Sequence, residues 1–332
     1  MKHRFGLLLI VCGVAFALPR ARSASGEAEG RWEPVRVTGT IDDKRATAAM
    51  LVYVPAGYTA ATPSDAAARK YPLVIALHGW NQSPEMVRDK ADLTRWADLY
   101  ALVIAVPAMS TTIYESSLYP ESKRTWSTVP GARWVGEVIL PYMRANYAVS
   151  NDRAHTAVIG YSTGGRGALL LAETYPEFDF AGSISGTFDL MRLPPGDGEY
   201  KIHAGVYGPR NKFQKRWELD NVISEARLAK LAGTRLFIAH GAKDTVVLPD
   251  QLVALRDAVH DRSAIKAEFA LSPDGGHTWS YWNEQWEAMF RALATALRLE
   301  PVRPVTPASM SRLGCPLRLW PTSTSQCAEV PP

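Results

Sequence analysis

Three side chains, widely separated along the 332 residues, have the types and settings of a nucleophile, a base and an orienting acid. Gly160-Tyr161-Ser162-Thr163-Gly164 is a G-x-S-x-G motif, with Gly165 directly after it. The apolar TAVI precedes it and GRGALLLAETY follows, so a strand runs into the serine and a helix runs out. That arrangement is a nucleophile elbow: glycines on both sides make room, and the hydroxyl stands exposed near a helix N-terminus, where negative charge is favoured. The five residues alone are only moderately specific; the strand and helix around them supply the weight. A serine at neutral pH needs a base, and the base needs an acid to hold it. RLFIAH runs into Gly241-Ala242-Lys243-Asp244, and IKAEFAL runs into Ser272-Pro273-Asp274-Gly275-Gly276-His277. These loops assign Ser162 as nucleophile, His277 as general base then acid, and Asp244 as the residue holding the imidazole. Asp250 and Asp274 are weaker alternatives for the acid. The first falls on the following helix, and the second is too close in sequence to reach behind the ring.

Acyl transfer also needs donors for the negative oxygen of its intermediate. LVIAL is followed by His78-Gly79-Trp80-Asn81, so the backbone N–H groups of Trp80 and Thr163 are the expected pair. An ordinary turn is the alternative reading of this stretch. Gly79 would let the backbone approach the substrate, and His78 would fix the shape of the loop. His240 ends a strand and reads as structural, and His203 sits in a long connection with nothing around it to pair with. No metal-ligand spacing such as HExxH occurs, and no metal is expected. Tyr161, Trp126 and Trp279, with Trp80, are candidates for the mouth of the site, where they would stack on a sugar or phenolic acid. Filling a core is the equally ordinary use of such rings.

The elements that must position these residues alternate along the chain. Apolar, β-rich runs occur at 49–54, 73–77, 102–106, 156–159, 182–185, 235–240 and 265–271, with an earlier strand near 35–41. Several are apolar throughout, as strands buried on both faces of a parallel sheet are. Helical periodicity fills 85–99, 133–146, 165–174, 222–231, 249–260 and 281–299, and Trp279, Trp282 and Trp286 share one side of the last. This is an α/β pattern: a mostly parallel sheet of about eight strands with helices on both faces. The connections 107–132 and 187–221 are too long for turns and read as binding loops or lids.

At this point the chain resembles a family of α/β-hydrolases, the esterases that include esterase D-type carboxylesterases, S-formylglutathione hydrolases, feruloyl esterases and mycolyltransferases. Polyhydroxybutyrate depolymerase-like esterases are close in pattern. PLVIALHGW, VIGYSTGGRGALLLAETYPEFDFAGSISGTFD, FIAHGAKDTVV and DGGHTWSYW carry the resemblance. It implies the α/β-hydrolase fold, the roles given above for Ser162, Asp244, His277, Trp80 and Thr163, and no cofactor. Thr163 departs from the Met that many members carry there, which alters the pocket more than the mechanism.

The chain ends read differently from this core. Lys2, His3 and Arg4, an uncharged apolar run from Phe5, and Ala21-Arg22-Ser23 have signal-peptide anatomy, so residues 1–23 are expected to direct export to the periplasm or outside the cell. An uncleaved anchor is the alternative. Residues 24–300 then form the catalytic domain. Residues 301–332 are a Pro-rich tail in which Cys315 and Cys327 are expected to pair with each other, the alternative being a bond to another chain. The formal charge of +4 rests on 37 basic against 33 acidic residues; the leader removes four basic residues and no acid, leaving none. A neutral mature chain gives no reason to expect nucleic acid as a partner. The sequence thus supports a secreted serine esterase acting on small or polysaccharide-linked esters (feruloyl or acetyl) through an acyl-enzyme. An acyltransferase with the same triad and a non-catalytic binding module are the alternatives.

Overall fold

The structure is a computed structural model that describes residues 29–60 and 69–302. The leader at 1–23 and the expected Cys315–Cys327 pair lie outside the described residues. One sheet holds β1 (Arg31–Ile41), β2 (Lys44–Val54), β3 (Leu73–Leu77), β4 (Val103–Pro107), β5 (Thr156–Tyr161), β6 (Phe180–Ile184), β7 (Arg235–Gly241) and β8 (Lys266–Ser272). Their order across it is β1-β2-β4-β3-β5-β6-β7-β8. The β1–β2 hairpin and the β2–β4 pair are antiparallel, and every pair from β4 to β8 is parallel. The hairpin turns through Asp42 and Asp43, both at positive φ, the geometry that matches strand twist. β1 and β2 are longer than their apolar halves suggest. Pairing runs on over Arg31, Glu33, Lys44 and Arg45, because an antiparallel edge can leave one face in water.

The central strands are buried on both faces, and alternation decides which core each side chain joins. Along β3, Leu73, Ile75 and Leu77 enter one apolar cluster while Val74 and Ala76 enter the other. The helices are α1 (Pro84–Lys90), α2 (Leu93–Tyr100), α3 (Gly131–Arg133), α4 (Leu140–Asn146), α5 (Thr163–Thr174), α6 (Gly198–Tyr207), α7 (Arg210–Leu219), α8 (Glu225–Leu228), α9 (Asp250–Val259) and α10 (Trp279–Leu297). α1, α2 and α10 cover one face; α4, α5, α8 and α9 cover the other.

Three elements depart from the sequence expectation. The single helix expected over 85–99 is two, broken at Ala91 and Asp92. At about 100° per residue, Val87 and Ala91 would lie on one side of a continuous helix and Leu93, Trp96 and Tyr100 on roughly the opposite side. Breaking the helix lets all five face the same core. The helix expected over 133–146 begins earlier, at Gly131, and widens into a π turn over Trp134–Ile139 just before Pro141. The connection 187–221 contains α6 and α7, a cap that closes over a third small cluster including Leu190, Leu193, Val206, Tyr207 and Trp217. Residues 108–130 carry no helix or strand, yet Ile113, Tyr114 and Glu115 within them are wholly buried.

Candidate active site

β5 occupies the middle of the sheet and delivers Ser162 at its carboxyl end, where α5 begins. The turn is strained: Ser162 has φ 56° and ψ −128°. It needs bare backbone on both sides. A Cβ on Gly160 would stand 2.4 Å from the Gly164 carbonyl oxygen, and one on Gly164 would stand 2.2 Å from that of Leu77. The Ser162 N–H donates to the Ile184 carbonyl at 2.8 Å, tying the turn to β6. Four residues on, the fully buried Arg166 donates to the Ile113 carbonyl, the Tyr207 hydroxyl and the Asp220 carbonyl. The helix behind the serine is therefore fastened to the cap and to the 108–130 loop.

Asp244 follows β7, and His277 follows β8. Both loops reach the carboxyl edge of the sheet, where the crevices of α/β proteins form. His277 Nε2 lies 3.0 Å from Ser162 Oγ, and its Nδ1 lies 2.8 Å from Asp244 Oδ2. The N–H groups of Val246 and Val247 each donate to Asp244 Oδ1 at 3.0 Å. Burial pushes the Asp244 carboxyl up, but the hydrogen bond and charge of His277 and the Val246 N–H outweigh it and hold it below the usual carboxylate range. The other two acids are placed differently. Asp274 pairs with Lys243 at 2.5 Å, and Asp250 is exposed at the start of α9.

Gly79 lies against the serine: a Cβ built on it would meet Ser162 Cβ at 3.3 Å. His78 shapes this loop. The Met109 N–H donates to its Nε2 at 3.1 Å, so Nδ1 carries the proton and donates to the Gly79 carbonyl at 2.8 Å. Burial depresses the ring to about 4, so it stays neutral and keeps this tautomer. With Gly79 C=O held toward His78, peptide planarity turns the Trp80 N–H the opposite way. Among the described residues the Trp80 N–H has no backbone acceptor. The Thr163 N–H, in the first turn of α5, has none within its helix.

The aromatic candidates separate. Tyr161 is buried, not at the mouth as expected, with Trp279, Trp282 and Trp286 around its ring at 4.8, 4.5 and 6.3 Å. Its hydroxyl donates to Gln82. Trp126 packs half-buried on Trp134, 5.3 Å away in the main core, which gives its ring a packing role there. Trp279 is half-buried two residues beyond His277, and Trp80 packs against the cap cluster. His203 is likewise not isolated: it is buried on α6, bonds the Glu199 carbonyl at 2.9 Å and stacks near Tyr207 and Trp217.

Several contacts of the site carry no motif. Trp282 sets its ring edge-on to His277 at 5.1 Å. His240 lies 3.6 Å from Asp244 Oδ2 and bonds the Val247 carbonyl at 2.8 Å. Gln251 accepts from the N–H groups of Phe188 and Asp189 at 2.8 and 2.7 Å, pinning the loop after β6. The helical spacing of the three tryptophans was the only sequence signal for any of these. No group of three or more His, Cys, Asp or Glu among the described residues can hold a metal ion.

Comparison with known proteins agrees with this architecture. The family described as "Putative esterase" matches residues 42–293. The diacylglycerol acyltransferase/mycolyltransferase Ag85B of Mycobacterium leprae (strain TN) is 27% identical over 232 residues, covering 62% of this chain and 69% of the relative. Among solved structures, a ferulic acid esterase superposes with a TM-score of 0.61 at 20% identity, over 82% of this chain and 99% of that one. The S-formylglutathione hydrolase FrmB of Staphylococcus aureus gives 0.59 at 18% identity, over 80% and 99%. With three quarters of its length matched and the eight-stranded sheet in place, the chain belongs to this esterase family of the α/β-hydrolase fold.

Proposed function

We propose that the protein is an exported serine esterase that cleaves carboxylic esters through an acyl-enzyme, with Ser162, His277 and Asp244 as its triad. The observation that carries the reading is the continuous line from Ser162 Oγ through His277 to Asp244, at 3.0 and 2.8 Å. In the first half-reaction Ser162 Oγ attacks the ester carbonyl as His277 Nε2 takes its proton. The negative oxygen settles against the N–H groups of Trp80 and Thr163. The intermediate collapses, the C–O bond to the alcohol breaks, and His277 returns the proton to the departing oxygen. Water repeats the cycle on the acyl-enzyme and releases the acid. Asp244 holds the proton-bearing Nδ1 and stabilises the imidazolium throughout.

Export rests on the leader at residues 1–23. Carbohydrate-linked esters, feruloyl or acetyl, suit the half-buried Trp279, two residues beyond His277. A second reading, transfer of the acyl group to a sugar or lipid hydroxyl, is favoured by the mycolyltransferase relative. The completeness of the triad argues against a purely binding module. Turnover of p-nitrophenyl acetate and butyrate by the mature protein, beside Ser162→Ala, tests the core of the proposal. The variant should lose roughly a factor of 10³ or more; retained activity overturns it. Product analysis with competing hydroxyl acceptors separates hydrolysis from transfer.

A further inference from the structure

The loop after β3, which carries the Trp80 N–H, receives one tyrosine hydroxyl from each of the two main cores. Tyr114, fully buried in the first, donates to the His78 carbonyl at 2.8 Å. Tyr161, buried in the second, donates to the side-chain oxygen of Gln82. The Gly79 backbone meets the same hydroxyl: burial pushes the Tyr161 group up, and Gly79 draws it down. The ring lies against the loop as well, its Cε2 3.2 Å from where a Cβ on Gly79 would stand. Beyond Trp80, the Asn81 N–H donates to the Ser110 carbonyl at 2.9 Å. The backbone on both sides of the Trp80 N–H is therefore held.

The Tyr161 ring and its hydroxyl serve different ends. Trp279, Trp282 and Trp286 of α10 surround the ring, and a phenylalanine would fill the same space. Packing thus asks for the ring alone, and the hydroxyl is what reaches the loop. Gln82 stands just before Ser83, which caps α1 by accepting from the Met86 N–H, so the far end of the bond is anchored too. Tyr161 also directly precedes Ser162, at the end of β5. Its hydroxyl ties the donor loop to the strand that delivers the nucleophile.

We infer that Tyr161 is a positioning residue for the oxyanion hole: through Gln82 and Gly79 its hydroxyl sets the place of the Trp80 N–H relative to Ser162. This rests on the esterase reading. The hole meets a full negative charge only in the tetrahedral intermediates, and acylation and deacylation both pass through it. Loosening the loop slows both half-reactions together and leaves binding of the uncharged ester alone.

The test compares Tyr161→Phe with the wild-type protein on p-nitrophenyl butyrate. Deleting an oxyanion donor outright costs about 10²–10³ in kcat, so a donor that is kept but loosened should cost on the order of tenfold to a hundredfold, with KM within about threefold. The melting temperature should stay close to that of the wild-type protein. A trifluoromethyl ketone gives a second readout. Ser162 Oγ adds to its carbonyl, the proton passes to His277, and the new oxyanion occupies the hole; its affinity should fall by the same factor as kcat/KM. Gln82→Leu, at a half-buried position, should lose less because the Gly79 contact remains, and the double variant should be no slower than Tyr161→Phe alone. Gln82→Leu decides the matter if the phenylalanine variant does not fold. An unchanged kcat, a loss confined to KM, or a double variant that loses the product of the two single factors overturns the inference. Failure of the wild-type protein to hydrolyse the ester refutes the esterase reading, and this inference with it.

Discussion

Replacing Asp244 with asparagine isolates what the acid does, because the structure fixes how the new amide must sit. Oδ1 accepts from the Val246 and Val247 N–H groups, each at 3.0 Å. An asparagine must leave its oxygen there. Turning the amide would set its NH2 against both donors, and stranding the buried Val247 N–H alone costs about 1–3 kcal/mol. The NH2 therefore faces His277 and donates to Nδ1, where Asp244 accepted at 2.8 Å. The imidazole must then carry its proton on Nε2, the nitrogen 3.0 Å from Ser162 Oγ. A ring held this way donates to the serine and cannot take its proton. The same exchange in other serine triads lowers kcat by about 10⁴, equivalent to about 5 kcal/mol in the barrier. Asp244→Asn should accordingly lose 10³- to 10⁴-fold in kcat on p-nitrophenyl butyrate, with KM within a few-fold and the melting temperature nearly unchanged. Labelling of Ser162 by a fluorophosphonate should slow in parallel. A loss under tenfold would refute the tautomer argument, and full activity would move the acid role to Asp250 or Asp274.

Three further outcomes follow from the packing. Gly164→Ala drives a methyl to 2.2 Å from the Leu77 carbonyl oxygen, which is backbone and cannot turn aside; denaturant melts should show a loss of about 1–3 kcal/mol, and activity should fall because Leu77 leads into the His78–Trp80 loop. Trp286→Ala empties a fully buried site beneath Tyr161 and should cost about 3–5 kcal/mol by the same measurement. Burial pushes the Glu115 carboxyl from 4.5 up to about 7, against bonds from the Gly131 and Ile113 N–H groups and Thr112. The native state therefore holds a proton that the unfolded chain has released, and this site loses stability as pH rises between those values, by up to about 3 kcal/mol. Stability measured at pH 5 and pH 8 should differ less in Glu115→Gln than in the wild-type protein by about that amount; an identical difference in both would refute it.

What could be read in advance depended on whether a residue's surroundings are local. Ser162, Asp244 and His277 each stand a few residues beyond an apolar strand, so knowing the strands was enough to bring all three to one edge of the sheet. Tyr161 is buried rather than at the mouth, and the sequence carries the signal for that. It continues the alternation of Ala157 and Ile159, and period two assigns it to the α10 face, where it is found. The break between α1 and α2 was equally local, written in the change of phase between Ala91 and Leu93. The cap is a different case. Glu199 lies on a helix of mixed composition, and nothing within a turn of it distinguishes a buried carboxyl from a solvated one. It is buried because Thr187, twelve residues earlier, and the loop after Asp244 close around it. A charge buried by distant chain carries no periodic signature. Side chains enclosed by distant chain are therefore harder to read from sequence than residues that stand at the ends of strands.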